Sequence, residues 1–262
     1  MFIIMGCFMY KSIIIEKKDK IATVLLNRPE VLNAMDFAMK DEMSAALQEI
    51  ERDDGISVVI ITGNGRAFCA GADIKSTMGQ KYLSNDGRKR MKKGFSMYRT
   101  IMGSDKIYIA AINGAISGSG FSLACWCDFR IAADDAKFGM PFIDIGLVAD
   151  GGLLYTLPRL IGLAKTKELA MLGGRIDAQK AYEYGIVTRI VKKEELISSA
   201  MAFAEDISKK SYVALALTKS ITNRTFEVSA DNLLEMEASA QDICFTTDCH
   251  NEVIAKILEK IK

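Results

Sequence analysis

Histidine is almost missing from this chain. A single one, His250, stands near the end of 262 residues. That scarcity argues against histidine-bearing metal clusters and against Ser–His or Cys–His nucleophilic catalysis. Proline is scarce too, with three residues in all, so long extended linkers are not expected. An excess of either charge is also lacking, since 34 Lys and Arg face 33 Asp and Glu. Nothing in that balance favours a polyanionic partner such as nucleic acid. No apolar run approaches the roughly 18 to 20 residues that a membrane span needs. The opening MFIIMGCFMY is apolar but short, has no basic n-region and leads into a strand pattern. It reads as an N-terminal extension rather than a signal peptide. The six cysteines (Cys7, Cys69, Cys125, Cys127, Cys244, Cys249) contain no CxxC pair. They read as reduced thiols of a cytoplasmic protein.

What is present is apolar residue in quantity, 50% of the chain, enough for one large core or a core with an appendage. Residues 12–16 and 21–26 read as strands joined by a charged turn. Asp36 is placed to cap a helix running to about Arg52, with Phe37, Met43, Leu47 and Ile50 on its apolar stripe. Residues 58–62 and 107–112 are strand-like, and helices are expected at 152–160 and 165–172. A short helix capped by Asp177 stops at Gly185, and 187–191 is the last strand. Beyond Glu194 the pattern is helical throughout, at 196–209, 212–223, 228–245 and 248–260. This order predicts an α/β core over residues 1–195 and a helical region over 196–262.

The stretch 107–152 organises the rest. Its strand ends at Asn113-Gly114, a dipeptide expected to turn through positive φ. The small residues Ser117, Gly118, Ser119 and Gly120 then open into a buried helix. A helix N-terminus carries free N–H groups and partial positive charge, which suit a carboxylate, a phosphate or a developing oxyanion. Close strand–helix packing is the plain alternative for the same small residues. A comparable bend runs from Arg66 to Ile74, so two bends can aim backbone N–H groups at one oxygen. The basic run at 87–93 reads as a solvated helix face, with a phosphate-facing role as the lesser reading.

Taken in order, NRPEVLNA (27–34), GRAFCAGADI (65–74), AING (111–114), SGSGFSL (117–123), AKFG (136–139), GLVADGG (146–152) and LPRLIG (157–162) resemble the crotonase (enoyl-CoA hydratase/isomerase) superfamily over nearly the whole chain. The resemblance implies a crotonase-like spiral of ββα units with a C-terminal helical trimerisation region, assembled as a homotrimer or dimer of trimers. It implies an acyl-CoA thioester substrate of the kind met in fatty acid metabolism, bound with its thioester oxygen between the N–H groups of Ala70 and Ser119. The acyl-CoA site would draw on Val31, Asn33, Ala70, Asp73, Ile74, Lys75, Gly118, Ser122 and Phe142. No metal or redox cofactor is implied, because coenzyme A arrives as part of the substrate.

Departures from the hydratase pattern point to the reaction. A hydratase of this family holds a water between two glutamates; Ser122 and Phe142 stand at those positions here. Asp150 remains, and it resembles the single acid of isomerase-type members, although Ala149 stands where proline is usual. An aspartate before Gly-Gly is also a good helix cap, so capping and catalysis both stay open at this point. Asp144, by strand alternation, faces away, and Asp128 is expected to make a structural contact after the buried helix. The reading is an enoyl-CoA isomerase with Asp150 as proton shuttle. Its rivals are another crotonase reaction (hydration, hydrolysis or decarboxylation of an unusual acyl-CoA) and a non-catalytic acyl-CoA-binding protein.

Overall fold

The computed structural model describes residues 10–77 and 86–261. The expected N-terminal extension, Tyr10 excepted, and the beginning of the polar stretch at Gly79 lie outside them. The chain runs β1 (Ile13–Lys18), β2 (Ile21–Leu26), α1 (Phe37–Glu51), β3 (Val58–Gly63), β4 (Ala67–Cys69), α2 (Asp86–Gly94) and α3 (Ser96–Gly103). It continues through β5 (Ile107–Ile112), β6 (Ala115–Ser117), α4 (Ser119–Trp126), β7 (Phe129–Ala133), β8 (Lys137–Gly139) and α5 (Leu153–Leu172). β9 (Arg175–Asp177), α6 (Ala178–Glu183), β10 (Arg189–Val191), α7 (Leu196–Ser208), α8 (Tyr212–Thr222), α9 (Ala230–Phe245) and α10 (Asp248–Ile261) complete it.

Two sheets form, in the orders β1-β2-β3-β5-β7-β10 and β4-β6-β8-β9. The pairs β3–β4, β5–β6 and β7–β8 each place one strand in the larger sheet and the next in the smaller, with helix following. This is the expected spiral of ββα turns. The central strands β3 and β5 of the larger sheet are buried without alternation because both faces are covered. Val59, Ile61, Tyr108, Ala110 and Ile112 pack with Met39, Met43 and Leu47 of α1. Val58, Ile60, Ile107, Ile109 and Ala111 pack with Leu196, Ala200, Ala204 and Ile207 of α7. Each valine, leucine, isoleucine or methionine among them contributes about 1.5–3 kcal/mol when fully buried. The second face also shows that α7 completes the core, although it lies beyond the expected boundary at residue 195.

α1 begins as anticipated, its first turn capped by the Asp36 carboxylate, which accepts from Met39 N at 2.8 Å. Its buried stripe starts at Met39 rather than at the half-buried Phe37. The break expected between two helices is a single non-helical residue, Gly162 at φ 74°, inside α5. The turn at Asn113-Gly114 differs from expectation, because neither residue has positive φ. Glycine is needed there for space: a Cβ on Gly114 would lie 2.2 Å from Arg66 O. Asn113 Oδ1 accepts from Gly63 N at 3.2 Å and its Nδ2 donates to Gly65 O at 2.9 Å, fastening the two bends. Gly114→Ala is therefore expected to cost about 1–3 kcal/mol by overpacking, read as a lower urea midpoint at unchanged m.

α9 and α10 pack mainly on α8 and on each other and leave Leu234, Ile243, Phe245, Val253, Ile257 and Leu258 exposed. Among the described residues no helix is long and apolar enough to cross a membrane.

Candidate active site

The first of the motifs holds the second. Arg28 pairs with Asp36 at 3.2 Å and Asp73 at 3.0 Å, and its Nη1 also donates to Ala34 O at 2.6 Å. Asn33 is fully buried at φ 56°. Its Oδ1 accepts from Arg28 N at 2.9 Å, and its Nδ2 donates to Asn64 O and Ala67 O at 2.9 and 2.8 Å. The substrate-binding role expected of Asn33 is thus corrected, because every polar atom of its side chain is engaged inside the fold. Val31 ends the adjacent 3₁₀ turn, half-buried. Asp73 is taken up by Arg28, while Ile74 and Lys75 stand exposed beside the bend.

The two small-residue bends meet. A Cβ on Gly71, which has φ 104°, would lie 3.0 Å from Ser117 O and 3.4 Å from Gly118 Cα. Gly118, at φ 51° and ψ −126°, precedes the first turn of α4 and has no side chain to cap it. The Ser119 N–H, first in the helix, has no backbone acceptor among the described residues. The role expected of Ala70 does not survive the geometry, since its N–H already donates to Leu32 O at 2.9 Å. Met35 N donates to Gly71 O at 2.7 Å and Asp73 N to Met35 O at 3.0 Å, and this bridge turns the intervening Ala72 N–H the other way. Ala72 is exposed, and its N–H has no acceptor among the described residues.

Asp150 lies between the 3₁₀ turn Ile143–Ile145 and α5. The cap position of α5 is Gly152, with no side-chain cap bond, so Asp150 does not cap the helix. Its backbone carbonyl accepts from Leu153 N at 3.1 Å and from Ser122 Oγ at 2.8 Å. Its carboxylate oxygen Oδ1 is buried without a hydrogen-bond partner among the described residues. Burial pushes the carboxyl pKa above its usual value, and the Lys40 ammonium pulls it partly back.

Apart from Lys40, whose charge acts on this acid, the side chains named around it are neutral. Ser122 is fully buried, its hydroxyl given to the Asp150 carbonyl. Phe142 is buried, with its ring 3.8 Å from the Cβ position of Gly118. The Tyr98 hydroxyl donates to Ser119 O at 3.4 Å, and Trp126 Nε1 donates to Gly151 O at 2.7 Å. A Cβ on Gly151 would lie 2.8 Å from Ser122 Cβ, and one on Gly152 would lie 2.4 Å from the Trp126 ring. The glycine pair after Asp150 is what lets that segment close on α4.

Ala72, Tyr98 and Trp126 were not marked by sequence reasoning. Choosing Ala72 over Ala70 needs the isolated bridge to Met35, which no local pattern displays. Asp128 does make the structural contact expected of it, accepting from Tyr108 N at 2.7 Å and Lys219 Nζ at 2.9 Å. Asp144 is exposed in the 3₁₀ turn, its carboxylate 2.8 Å from the Cβ position of Gly173, away from Asp150. Within the basic run on α2, Lys93 pairs with Asp41 at 2.7 Å. His250 packs edge-on to Phe245 on the C-terminal helices.

The family described as enoyl-CoA hydratase/isomerase matches residues 16–262. The chain is 35% identical over 254 residues to a crotonyl-CoA hydratase of Syntrophomonas wolfei, covering 97% of each. It is 31% identical to a 1,2-epoxyphenylacetyl-CoA isomerase of Escherichia coli, covering 96% of this chain and 97% of that one. An enoyl-CoA hydratase from Bacillus anthracis superposes with a TM-score of 0.90 at 32% identity, over 95% of this chain and 97% of the other.

Proposed function

Because the chain belongs to the enoyl-CoA hydratase/isomerase family, we propose that it is an acyl-CoA isomerase that moves a double bond with Asp150 as its proton shuttle. The observation that carries this reading is the buried, unpartnered oxygen of Asp150, with the hydroxyl of Ser122 rather than a second acid bonded to its backbone carbonyl. Asp150 takes a proton from the carbon next to the thioester carbonyl of a 3-enoyl-CoA. The resulting enolate oxygen rests on the N–H groups of Ala72 and Ser119. The carboxylic acid so formed returns its proton to the far end of the conjugated system, leaving a 2-enoyl-CoA and the original carboxylate. No water enters the balance, so one acid suffices, and the shuttle needs neither metal nor redox group. Preorganised N–H donors lower the barrier because charge develops on the oxygen only in the transition state.

The coenzyme A portion lies, in this reading, along the bend of Asp73, Ile74 and Lys75. The exposed apolar residues of α9 and α10 are surface that a homotrimer or a dimer of trimers would cover. Buried free thiols at Cys69, Cys125 and Cys127, all pushed up to about 12 by burial, suit a reducing cytoplasm.

A second reading, hydration, is favoured by the names of relatives such as the Syntrophomonas wolfei protein. The two separate in heavy water. A 3-enoyl-CoA is expected to give the 2-enoyl isomer with deuterium uptake, while crotonyl-CoA keeps its enoyl-thioester absorbance. Rapid loss of that absorbance without isomerisation of any 3-enoyl-CoA overturns the isomerase reading.

A further inference from the structure

We propose that Ser122 is a positioning residue: its one hydroxyl clasps the segment bearing Asp150 to the peptide that presents the Ser119 N–H, so that acid and oxyanion donor keep one geometry. The proposal rests on the reading of Asp150 as the acid and of Ser119 as a donor. It adds a residue that touches neither the substrate nor the reacting atoms.

Ser122 is fully buried on α4, three residues after Ser119. Its hydroxyl has two carbonyl acceptors in reach, Asp150 O at 2.8 Å and Gly118 O at 3.3 Å, and shares one hydrogen between them. Gly118 O and the Ser119 N–H belong to the same planar peptide unit and point in opposite directions from it. Whatever holds that oxygen therefore aims that N–H. The same oxygen accepts from Ser122 N at 3.0 Å, so Ser122 grips the unit from behind with both backbone and side chain. A peptide whose carbonyl accepts in this way is polarised, and its own N–H becomes the better donor.

The Asp150 side of the clasp is laid along α4 with no room to slip. Two successive carbonyls, Asp150 O and Gly151 O, accept from Ser122 Oγ at 2.8 Å and Trp126 Nε1 at 2.7 Å. These donors stand four residues apart and so share one face of the helix. A Cβ on Gly151 would lie 2.8 Å from Ser122 Cβ and 2.9 Å from the Tyr98 hydroxyl. That hydroxyl donates to Ser119 O at 3.4 Å, adding a contact from α3. This face of α4 is packed shut, so the Ser122 hydroxyl acts only through the two segments it joins. The acid and the oxyanion donor must meet one substrate at the same moment, and a misplacement of about 1 Å between such groups costs about a hundredfold.

The test is Ser122→Ala, which keeps the Cβ packed against Gly151 and deletes only the hydroxyl. Folding is expected to survive, because Asp150 O retains the bond from Leu153 N at 3.1 Å and Gly118 O that from the backbone N–H of residue 122. Amide hydrogen exchange over residues 117–126 and 147–157, read by mass spectrometry, is expected to speed up in both segments together by about five- to tenfold. With a 3-enoyl-CoA, turnover is expected to fall by about ten- to a hundredfold at nearly unchanged KM. The rise of deuterium exchange with pH is expected to move to lower pH, because water reaches a carboxyl whose pKa burial had raised. Lys40 of α1 and Tyr98 of α3, the titratable groups that interact with Asp150, are both intact in the variant, and Asp144 faces away. Ser122→Cys, whose thiol is a weaker donor, is expected to fall between the two proteins, and it is held to the same readings if Ser122→Ala does not fold. Loosening of one segment without the other overturns the clasp, as does a variant with wild-type turnover and pH profile, whatever its melting temperature. A loss confined to KM also overturns it, because that places the hydroxyl on the substrate. If the wild-type protein isomerises no 3-enoyl-CoA and yet both segments loosen together in the variant, the isomerase reading falls and the clasp stands.

Discussion

Asp150→Asn is expected to fold, to bind acyl-CoA, and to lose isomerisation and deuterium exchange by about a thousandfold or more, at the upper end of what acid–base groups contribute. The substitution keeps shape and removes only the proton carrier. A carboxylate at its usual pKa is a weak base at neutral pH, and burial of Asp150 corrects this by raising it. The wild-type exchange rate should accordingly rise with pH through that raised pKa and then level off. Stability gives an independent reading. A folded-state pKa above the unfolded one means that the charged form is disfavoured by folding, so the stabilising effect of the protonated group fades as pH rises through the folded value. Asp150→Asn is therefore expected to raise the melting temperature at neutral pH, and this gain should vanish below the ordinary carboxylate pKa. A helix cap would behave in the opposite way. Unimpaired exchange in a less stable Asp150→Asn protein would remove Asp150 from the chemistry.

Ser119→Pro is expected to cost about a hundred- to a thousandfold in turnover with little effect on folding, because one oxyanion donor is deleted. The first position of a helix accepts proline, since its N–H has no partner within the helix. Gly118, at positive φ, also escapes the restriction that proline imposes on a preceding side chain. Ser119→Ala, which retains the N–H, should stay within a few-fold of wild type. A Ser119→Ala protein that binds substrate and loses turnover as badly as Ser119→Pro would transfer the role from backbone to hydroxyl.

Much of this was readable in the sequence because it is local. The cap at Asp36, the break at Gly162 and the uninterrupted apolar strands each follow from neighbours within a few residues. The placing of Asp150 near Ser122 and Phe142 came from a family resemblance, and whether it capped a helix needed coordinates. Ala70 does not serve as donor because N–H direction alternates along an extended segment and is set here by a bridge to Met35, far away in sequence. Asn33 is expected to bind substrate from the family resemblance, and only the coordinates display its three hydrogen bonds to residues 28, 64 and 67. The alternation that suggests Asp144 faces away belongs to a strand, and no strand runs there; the 3₁₀ turn itself carries its carboxylate outward. Trp126, flanked by Cys125 and Cys127, shows no role in the sequence, since its partners Tyr98, Gly151, Gly152 and Tyr155 are contributed by other elements.

The position of α7 has a consequence for how the protein is made. β3, β5 and β7 leave the ribosome well before Leu196, Ala200, Ala204 and Ile207, the side chains that cover one face of their sheet. At ordinary rates of synthesis that face stays bare for several seconds. During that interval the nascent chain carries a row of isoleucine and valine side chains with no partner of its own. That face gains its native cover only when the last turn of α7 has emerged.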